Sequence, residues 1–448
     1  MKENIKTAIL LLLVCLSLFL TYQLWYGLSP AQPLTEDYYE RVEVESPRPL
    51  EQVVTPGRIM IARENSTFQF RQGEEIFTSL WENLSAILQN IDNLEVVDND
   101  LLFDSESSST IAAYYFRPPL PVGSDLPWLS WLAYQTVDLI EIKWFDNDYW
   151  LVLYEPINEG RLSFRISSDI MEDLLMVFND LDGLDKNNYL ELTDSLVAGI
   201  VEGNLSVRSN LYVPQEIVYL GEIALRPEVL DRDLLLRSFF VDLNLARVIE
   251  EKEEGLIYTD GDKGLRITTL GLAYSAPRLE EGHSTSSYPE ALLNCSSLVS
   301  HHGGWPDNLR LEEFALTGRN HGSYYSATWK IYYNGYPLFV KMPTRLSFND
   351  RGLIHYSRSI YFPESDVGEE LLELAPWEEA LKAAARIIAL EQPGSESDLR
   401  IERIQLVYAV TGSNSVPVGV PAWQITINGE NIILEAHTLE QITGEDLL

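Results

Sequence analysis

Cysteine is nearly absent. Cys15 lies in a leading apolar run and Cys295 is the only other one, so no disulfide can staple the body and its stability has to come from packing. Basic residues are also scarce: 32 Lys and Arg against 68 Asp and Glu leave a net charge of −36. That balance disfavours nucleic acid, or an anionic membrane surface, as a partner through any general field. An acidic, soluble surface explains the charge by itself. Chemical signatures are missing too. There is no Gly-x-Gly-x-x-Gly after a strand, no Walker loop, no His-Glu-x-x-His, no Gly-x-Ser-x-Gly and no Cys-x-x-Cys, which lowers the odds of catalysis. No catalytic, cofactor-binding or metal-ligating residue is assigned, and no cofactor is expected.

What is present begins with a segment without charge, Thr7 to Thr35, whose first part, Ala8 to Tyr26, is almost wholly apolar. At about 1.5 Å per residue that part reaches about 28 Å, close to the hydrocarbon thickness of a bilayer. One transmembrane helix is expected. Lys2 and Lys6 precede it and Glu36, Asp37 and Glu40 follow, so the N-terminus is placed in the cytoplasm and the bulk of the chain outside. Trp25 and Tyr26 then sit at the outer interface. A cleaved signal peptide starts similarly, but this apolar run exceeds the usual length, no Ala-x-Ala follows, and Pro30 and Pro33 crowd the cleavage zone. Val14 is too bulky to make Cys15 a lipidation site. Cysteine poverty in an external body suits a bacterial protein rather than an animal secreted one.

With 46% apolar and 11% aromatic residues, the external part can bury sizeable cores, and its length suggests two or three domains. Pro30, Pro33, Pro47 and Pro49 make residues 28–50 an extended stalk. An α+β domain follows at 51–205. It has a strand at Arg58 to Ala62 and an amphipathic helix over Glu74 to Gln89. Strands are expected at Ile111 to Phe116, Leu139 to Phe145 and Tyr149 to Tyr154, the last two joined by a turn at Asp146-Asn147-Asp148. A middle domain, 206–362, carries helices near Arg232 to Phe240 and Tyr288 to His302. Its strands are Gly255 to Tyr258, Gly264 to Leu270, Leu309 to Leu316, Tyr324 to Tyr333, Pro337 to Lys341 and Leu353 to Tyr361. The C-terminal domain, 363–448, opens with a helix over Pro376 to Leu390.

The last two domains share a pattern. Asn308-Leu309-Arg310-Leu311-Glu312-Glu313-Phe314-Ala315-Leu316 resembles Asp398-Leu399-Arg400-Ile401-Glu402-Arg403-Ile404-Gln405-Leu406. Trp329-Lys330-Ile331-Tyr332-Tyr333-Asn334-Gly335 resembles Trp423-Gln424-Ile425-Thr426-Ile427-Asn428-Gly429. Each pair follows a helix, so two related modules of helix plus antiparallel sheet are expected. Alternation predicts that Leu309, Leu311, Leu399 and Ile401 pack on the helix while the intervening Arg and Glu face water. Asn-Gly supplies the positive φ of a two-residue hairpin. These matches read as folding instructions.

Other candidates have plainer explanations. His301-His302 before Gly303-Gly304 is a helix C-terminus rather than a metal pair, since adjacent residues there point apart. Asp180 to Glu191 resembles a calcium loop, but Leu184 and Asp185 occupy positions that need a ligand and a Gly; an acidic capping loop fits better. Asp260-Gly261-Asp262 is first of all a turn. Asn65-Ser66-Thr67 matches a glycosylation acceptor, which carries little weight in a bacterial setting. In the membrane segment Thr7, Leu10, Val14, Ser17, Thr21 and Leu24 form one heptad-like stripe, whose small and hydroxyl side chains permit close helix pairing.

Lys2-Glu3-Asn4-Ile5-Lys6 running into Leu20-Thr21-Tyr22-Gln23-Leu24-Trp25, with Gly255-Leu256-Ile257-Tyr258-Thr259-Asp260-Gly261, Leu265, Tyr274 and Pro277, resembles the YycH family. The single span and three-part layout agree. The resemblance implies a non-catalytic extracytoplasmic protein that, with the related single-span protein YycI, contacts the WalK (YycG) sensor kinase of Gram-positive bacteria through membrane helices. It thereby adjusts cell-wall metabolism. The two C-terminal modules then resemble YycI and PepSY-type folds. An external binder or inhibitor of a wall peptidase is the competing expectation.

Overall fold

The computed structural model describes residues 6, 13–14, 16–17, 45–63, 66–89, 95–96, 109–121, 136–155, 161–180, 188–200, 205–240, 242–243, 246–251, 255–306, 308–318, 322–364, 371–391, 399–413 and 416–448. The chain divides into two units, Met1–Val42 and Glu43–Leu448. In the first, the described residues are helical. Among the described residues no helix is long and apolar enough to cross a membrane, and most of the expected span lies outside them.

The second unit starts with a short helix, α1 (Leu50–Val53), and a seven-stranded antiparallel sheet. Its strands are β1 (Arg58–Arg63), β2 (Ser66–Phe70), β3 (Glu95–Val96), β4 (Ser109–Pro121), β5 (Thr136–Phe145), β6 (Asp148–Tyr154) and β7 (Arg161–Ile166), in the order β2-β1-β4-β5-β6-β7-β3. Positive φ at Asp146 (51°) and Asn147 (61°) turns β5 into β6, as a tight hairpin requires. Helix α2 (Glu75–Gln89) buries Phe77, Leu80, Leu84 and Leu88 in one cluster with Ile59, Ile61, Tyr114, Ile140 and Phe164 of the sheet. A second helix, α3 (Ser168–Asp180), contributes Met171 and Leu174 to that cluster.

Short strands β8 (Tyr189–Glu191), β9 (Leu205–Val207), β10 (Tyr212–Pro214), β11 (Tyr219–Leu220) and β12 (Ile223–Pro227) follow, with α4 (Asp194–Ala198) between the first two. Helix α5 (Arg232–Phe239) is capped by the Asp231 carboxylate, which accepts from the Asp233 and Leu234 amides. A meander of β13 (Arg247–Glu251), β14 (Gly255–Thr259), β15 (Gly264–Ile267) and β16 (Gly271–Ser275) leads to α6 (Tyr288–His301), started by a Ser287/Glu290 capping box. Then come β17 (Leu309–Thr317), β18 (Tyr324–Tyr333), β19 (Tyr336–Phe339), β20 (Thr344–Asn349), β21 (Gly352–Ser359), β22 (Tyr361–Pro363) and β23 (Leu372–Glu373). Helix α7 (Trp377–Glu391) precedes β24 (Leu399–Ser413), β25 (Val416–Ile427) and β26 (Glu430–Glu435).

One 15-stranded sheet runs through both helix-and-sheet modules, along β13-β14-β15-β16-β21-β20-β18-β19-β24-β25-β12-β22, with β17, β26 and β9 attached to β18, β25 and β24. The joint is β19. It leaves β18 through the Asn334-Gly335 turn and pairs in parallel with β24, Leu338 opposite Tyr408 and Phe339 opposite Ala409.

Both modules repeat as the pattern predicts, down to a β-bulge at matching places, between Leu311 and Glu313 in β17 and between Ile401 and Arg403 in β24. Both Asn-Gly turns have positive φ at each residue, 47° and 82° in one, 51° and 81° in the other. The registers differ: Leu311 faces Trp329, whereas Ile401 faces Ile427, four residues past the matching Trp423. An even displacement keeps each side chain on its own face, so both tryptophans stay buried.

Two expectations change. The end of the segment read as a stalk is docked from Glu45 onward. Its carboxylate accepts from the Trp305 amide at 2.7 Å, and the Ser296 hydroxyl of α6 donates to the Arg48 carbonyl at 2.7 Å. Leu50 of α1 is buried in the core. Nor do all the charged residues of β17 face water. Arg310 is 3% and Glu312 9% exposed, because β4 of the first sheet lies against the strand and covers the face that alternation assigns to solvent.

Candidate functional site

Of the stripe Thr7, Leu10, Val14, Ser17, Thr21 and Leu24, the described members Val14 and Ser17 are helical and exposed, and the others lie outside the described residues. His301 and His302 do not converge. His301 Nδ1 turns back to the Ser297 carbonyl and hydroxyl, while His302 stacks on Phe239 with ring centroids 4.5 Å apart. Gly303 and Gly304 follow at φ 111° and 74°. Asp260 forms its turn by accepting from the amides of Asp262 and Lys263, and Asp262 pairs outward with Arg278 at 2.7 Å. Residues 181–187 of the acidic loop, and Asn65, lie outside the described residues.

Charge gathers instead where β17 and β18 meet the first sheet and β24. Arg310 pairs with Glu312, and its other nitrogens donate to the carbonyls of Pro56 (3.1 Å) and Arg117 (2.7 Å). One guanidinium thus ties β17 to two segments of the N-terminal sheet domain. Glu312 is the extra residue of the bulge, the local device that re-aims a side chain. Its carboxylate also accepts from the Tyr332 hydroxyl at 2.7 Å. Burial pushes the Glu312 pKa up, but Arg310, Lys330, Arg403 and the Tyr332 hydroxyl outweigh it and hold it at about 2.

Lys330 stands directly across from Arg310 in the sheet, a like-charge pairing that is unfavourable without compensation. Burial, and after it Arg403 and Arg310, lower the Lys330 pKa to about 8 although Glu312 and Glu313 pull it up. Arg403 comes from the bulge of β24, the place that Glu313 occupies in β17. Burial, then Arg403 and Arg208, also lower the Arg117 pKa. Lys330 opens on a cleft of about 400 Å³ bordered by β18, β19, β20 and β24. The alternation rule missed this cluster. The available hint was the odd spacing of Arg310, Glu312 and Glu313 in a strand otherwise apolar on one face.

The architecture is that of an α+β protein whose N-terminal sheet domain packs on two sheet-sharing helix-and-sheet modules, with polar ties between them and no assigned catalytic residue. Residues 3–119 match the family described as YycH protein, N-terminal domain. Over those residues the family resemblance read from the sequence holds. Among solved structures it is similar to YycH from Bacillus subtilis, at 13% identity and a TM-score of 0.57, over 88% of this chain and 99% of that one. That likeness is one of fold. Weaker likenesses are an uncharacterized protein from Eubacterium rectale (11% identity, TM-score 0.37, 55% of this chain and 92% of that one) and the Bacillus megaterium YpeB C-terminal domain (12%, 0.27, 49% and 97%). No curated protein matches the chain.

Proposed function

We propose that the chain is a single-pass regulator, anchored in the cytoplasmic membrane with its bulk outside, that acts with a YycI-like protein on a sensor histidine kinase of the WalK (YycG) type. The carrying observation is the match of residues 3–119 to the YycH N-terminal domain, which runs from the basic start through the apolar segment into the first sheet. The fold likeness to Bacillus subtilis YycH over most of both chains supports it. The division at about 205 and 362 is part of the same proposal, with β9 and β12, just past the first boundary, completing the sheet of the last module.

An anchor that regulates has to interact differently with two kinase states, because a ligand of equal affinity for both shifts nothing. The polar stripe offers that difference through close packing and interhelical hydrogen bonds. Replacing Ser17 and Thr21 together by Leu in the full chain is expected to reduce co-purification with the kinase and to change its output several-fold, the range of a coupling of about 1 kcal/mol. Unchanged co-purification and output at equal protein levels remove the stripe from the mechanism.

A further inference from the structure

We propose that the cleft at Lys330 is a binding site for a small oxyanion, a phosphate or carboxylate group carried by an external ligand. The site does not depend on the kinase proposal. Its origin is a split in the sheet. One edge of β18 pairs with β20 as far as Trp329 opposite Thr344, then with β19 from Tyr332 opposite Pro337. Lys330 and Ile331 fall between these two neighbours, and the cleft of about 400 Å³ opens there, within the range of small-ligand pockets.

The lining is cationic in an otherwise acidic molecule. Lys330, Lys341, Arg345 and Arg403 face Glu312 and Glu313, whereas the whole chain carries −36. Glu312 is already engaged by Arg310 and Tyr332. Among the described residues, the Lys330 ammonium and the Arg403 guanidinium make no hydrogen bond and close no ion pair. Glu312 and Glu313 offset only part of the four positive charges of the lining, and an oxyanion supplies further counter-charge and accepts from the free donors. The buried hydroxyl residues Thr344 and Ser359 complete the wall. A local positive field in a negative surround also admits a small anion while repelling large polyanions, which meet the rest of the surface.

The test uses the purified full chain at constant ionic strength, with inorganic phosphate in one arm and acetate in the other. Binding is read by calorimetry, and protection of Lys330 from an amine-reactive reagent at pH 8 by mass spectrometry. Saturable binding in either arm with matching protection is expected, and the arm that binds identifies the group. Lys330→Met should weaken binding about tenfold or more, and Arg345→Gln, an exposed position at the mouth whose change leaves the fold intact, about threefold. Absence of both heat and protection up to about 20 mM anion overturns the proposal. So does equal affinity in folded Lys330→Met or Arg345→Gln protein.

Discussion

Arg310 shows how much one side chain can hold. It closes an ion pair and bonds the carbonyls of Pro56 and Arg117 from a position almost without exposure. Removing it leaves Glu312 as a buried carboxylate without its main partner, a loss on the order of 3–5 kcal/mol. Arg310→Met should therefore lower the urea midpoint sharply, and Arg345→Gln nearby should hardly move it. Glu312 gives the pH dependence. Its folded pKa of about 2 lies below the ordinary 4.5, so the folded state binds fewer protons than the unfolded state between those values. The carboxylate's contribution is complete above about 4.5 and is lost as pH falls toward 2. Glu312→Gln should cost on the order of 2 kcal/mol at pH 6 and much less at pH 3, measured by urea unfolding at both. Lys330 has the opposite sense. Its pKa is lowered from 10.5 to about 8, so its charged form opposes folding below 8, and that opposition fades as pH rises through 10.5. In anion-free buffer at pH 7, Lys330→Met should raise the urea midpoint; a lower midpoint would mean that the ammonium supports Glu312 more than burial penalises it.

At the scale of elements, local chemistry was legible where local chemistry decides. The spacing of Leu80, Leu84 and Leu88 predicted α2, and the two Asn-Gly pairs predicted hairpins that have the expected positive φ. The repeat was legible because both modules need the same helix, bulge and turn. Strand β20 was missed because Thr344–Asn349 follows a Pro and mixes polar with apolar residues, so its place is set by β18 and β21 on either side. Short strands such as β9 and β12 depend on partners far along the chain, which no window reveals. The charge cluster was hidden for the same reason, since β4 covers Arg310 and Glu312 from another domain. The two turns allow a matched test. A Cβ at Gly429 meets nothing within 4 Å, whereas one at Gly335 runs into the Glu74 carboxylate, which accepts from the Arg71 amide at 3.0 Å. Gly429→Ala should cost about 1 kcal/mol, the strain of a left-handed backbone. Gly335→Ala should cost about 1 kcal/mol more, because the Glu74 contact is displaced. Equal urea midpoints for the two variants would show that Glu74 yields freely.

At the scale of the whole molecule, the two modules are joined by backbone pairing and shared packing rather than by a linker. Strand β19 belongs to the middle module by sequence, yet it pairs with β24. Tyr408 and Val410 of β24 fall in the same hydrophobic cluster as α6 and the N-terminal sheet, while the packing of α7 on β24 and β25 forms a second cluster. A third tie is β12, which pairs with β25 at Ile223 and Ala224 and with β22 from Leu225 to Pro227. Opening one module alone would expose the shared side of β24 and break the β12 pairing with one of its neighbours, together a penalty of several kcal/mol. Few partly folded states survive such a penalty. The unit Glu43–Leu448 should therefore melt in one calorimetric transition whose van't Hoff and calorimetric enthalpies agree. Weakening the joint by Leu338→Pro, which adds a ring and removes an amide in β19, should split that transition by freeing the C-terminal module. Two separate transitions in the unmodified chain would instead show that the modules fold independently and that the common sheet forms only after both are complete.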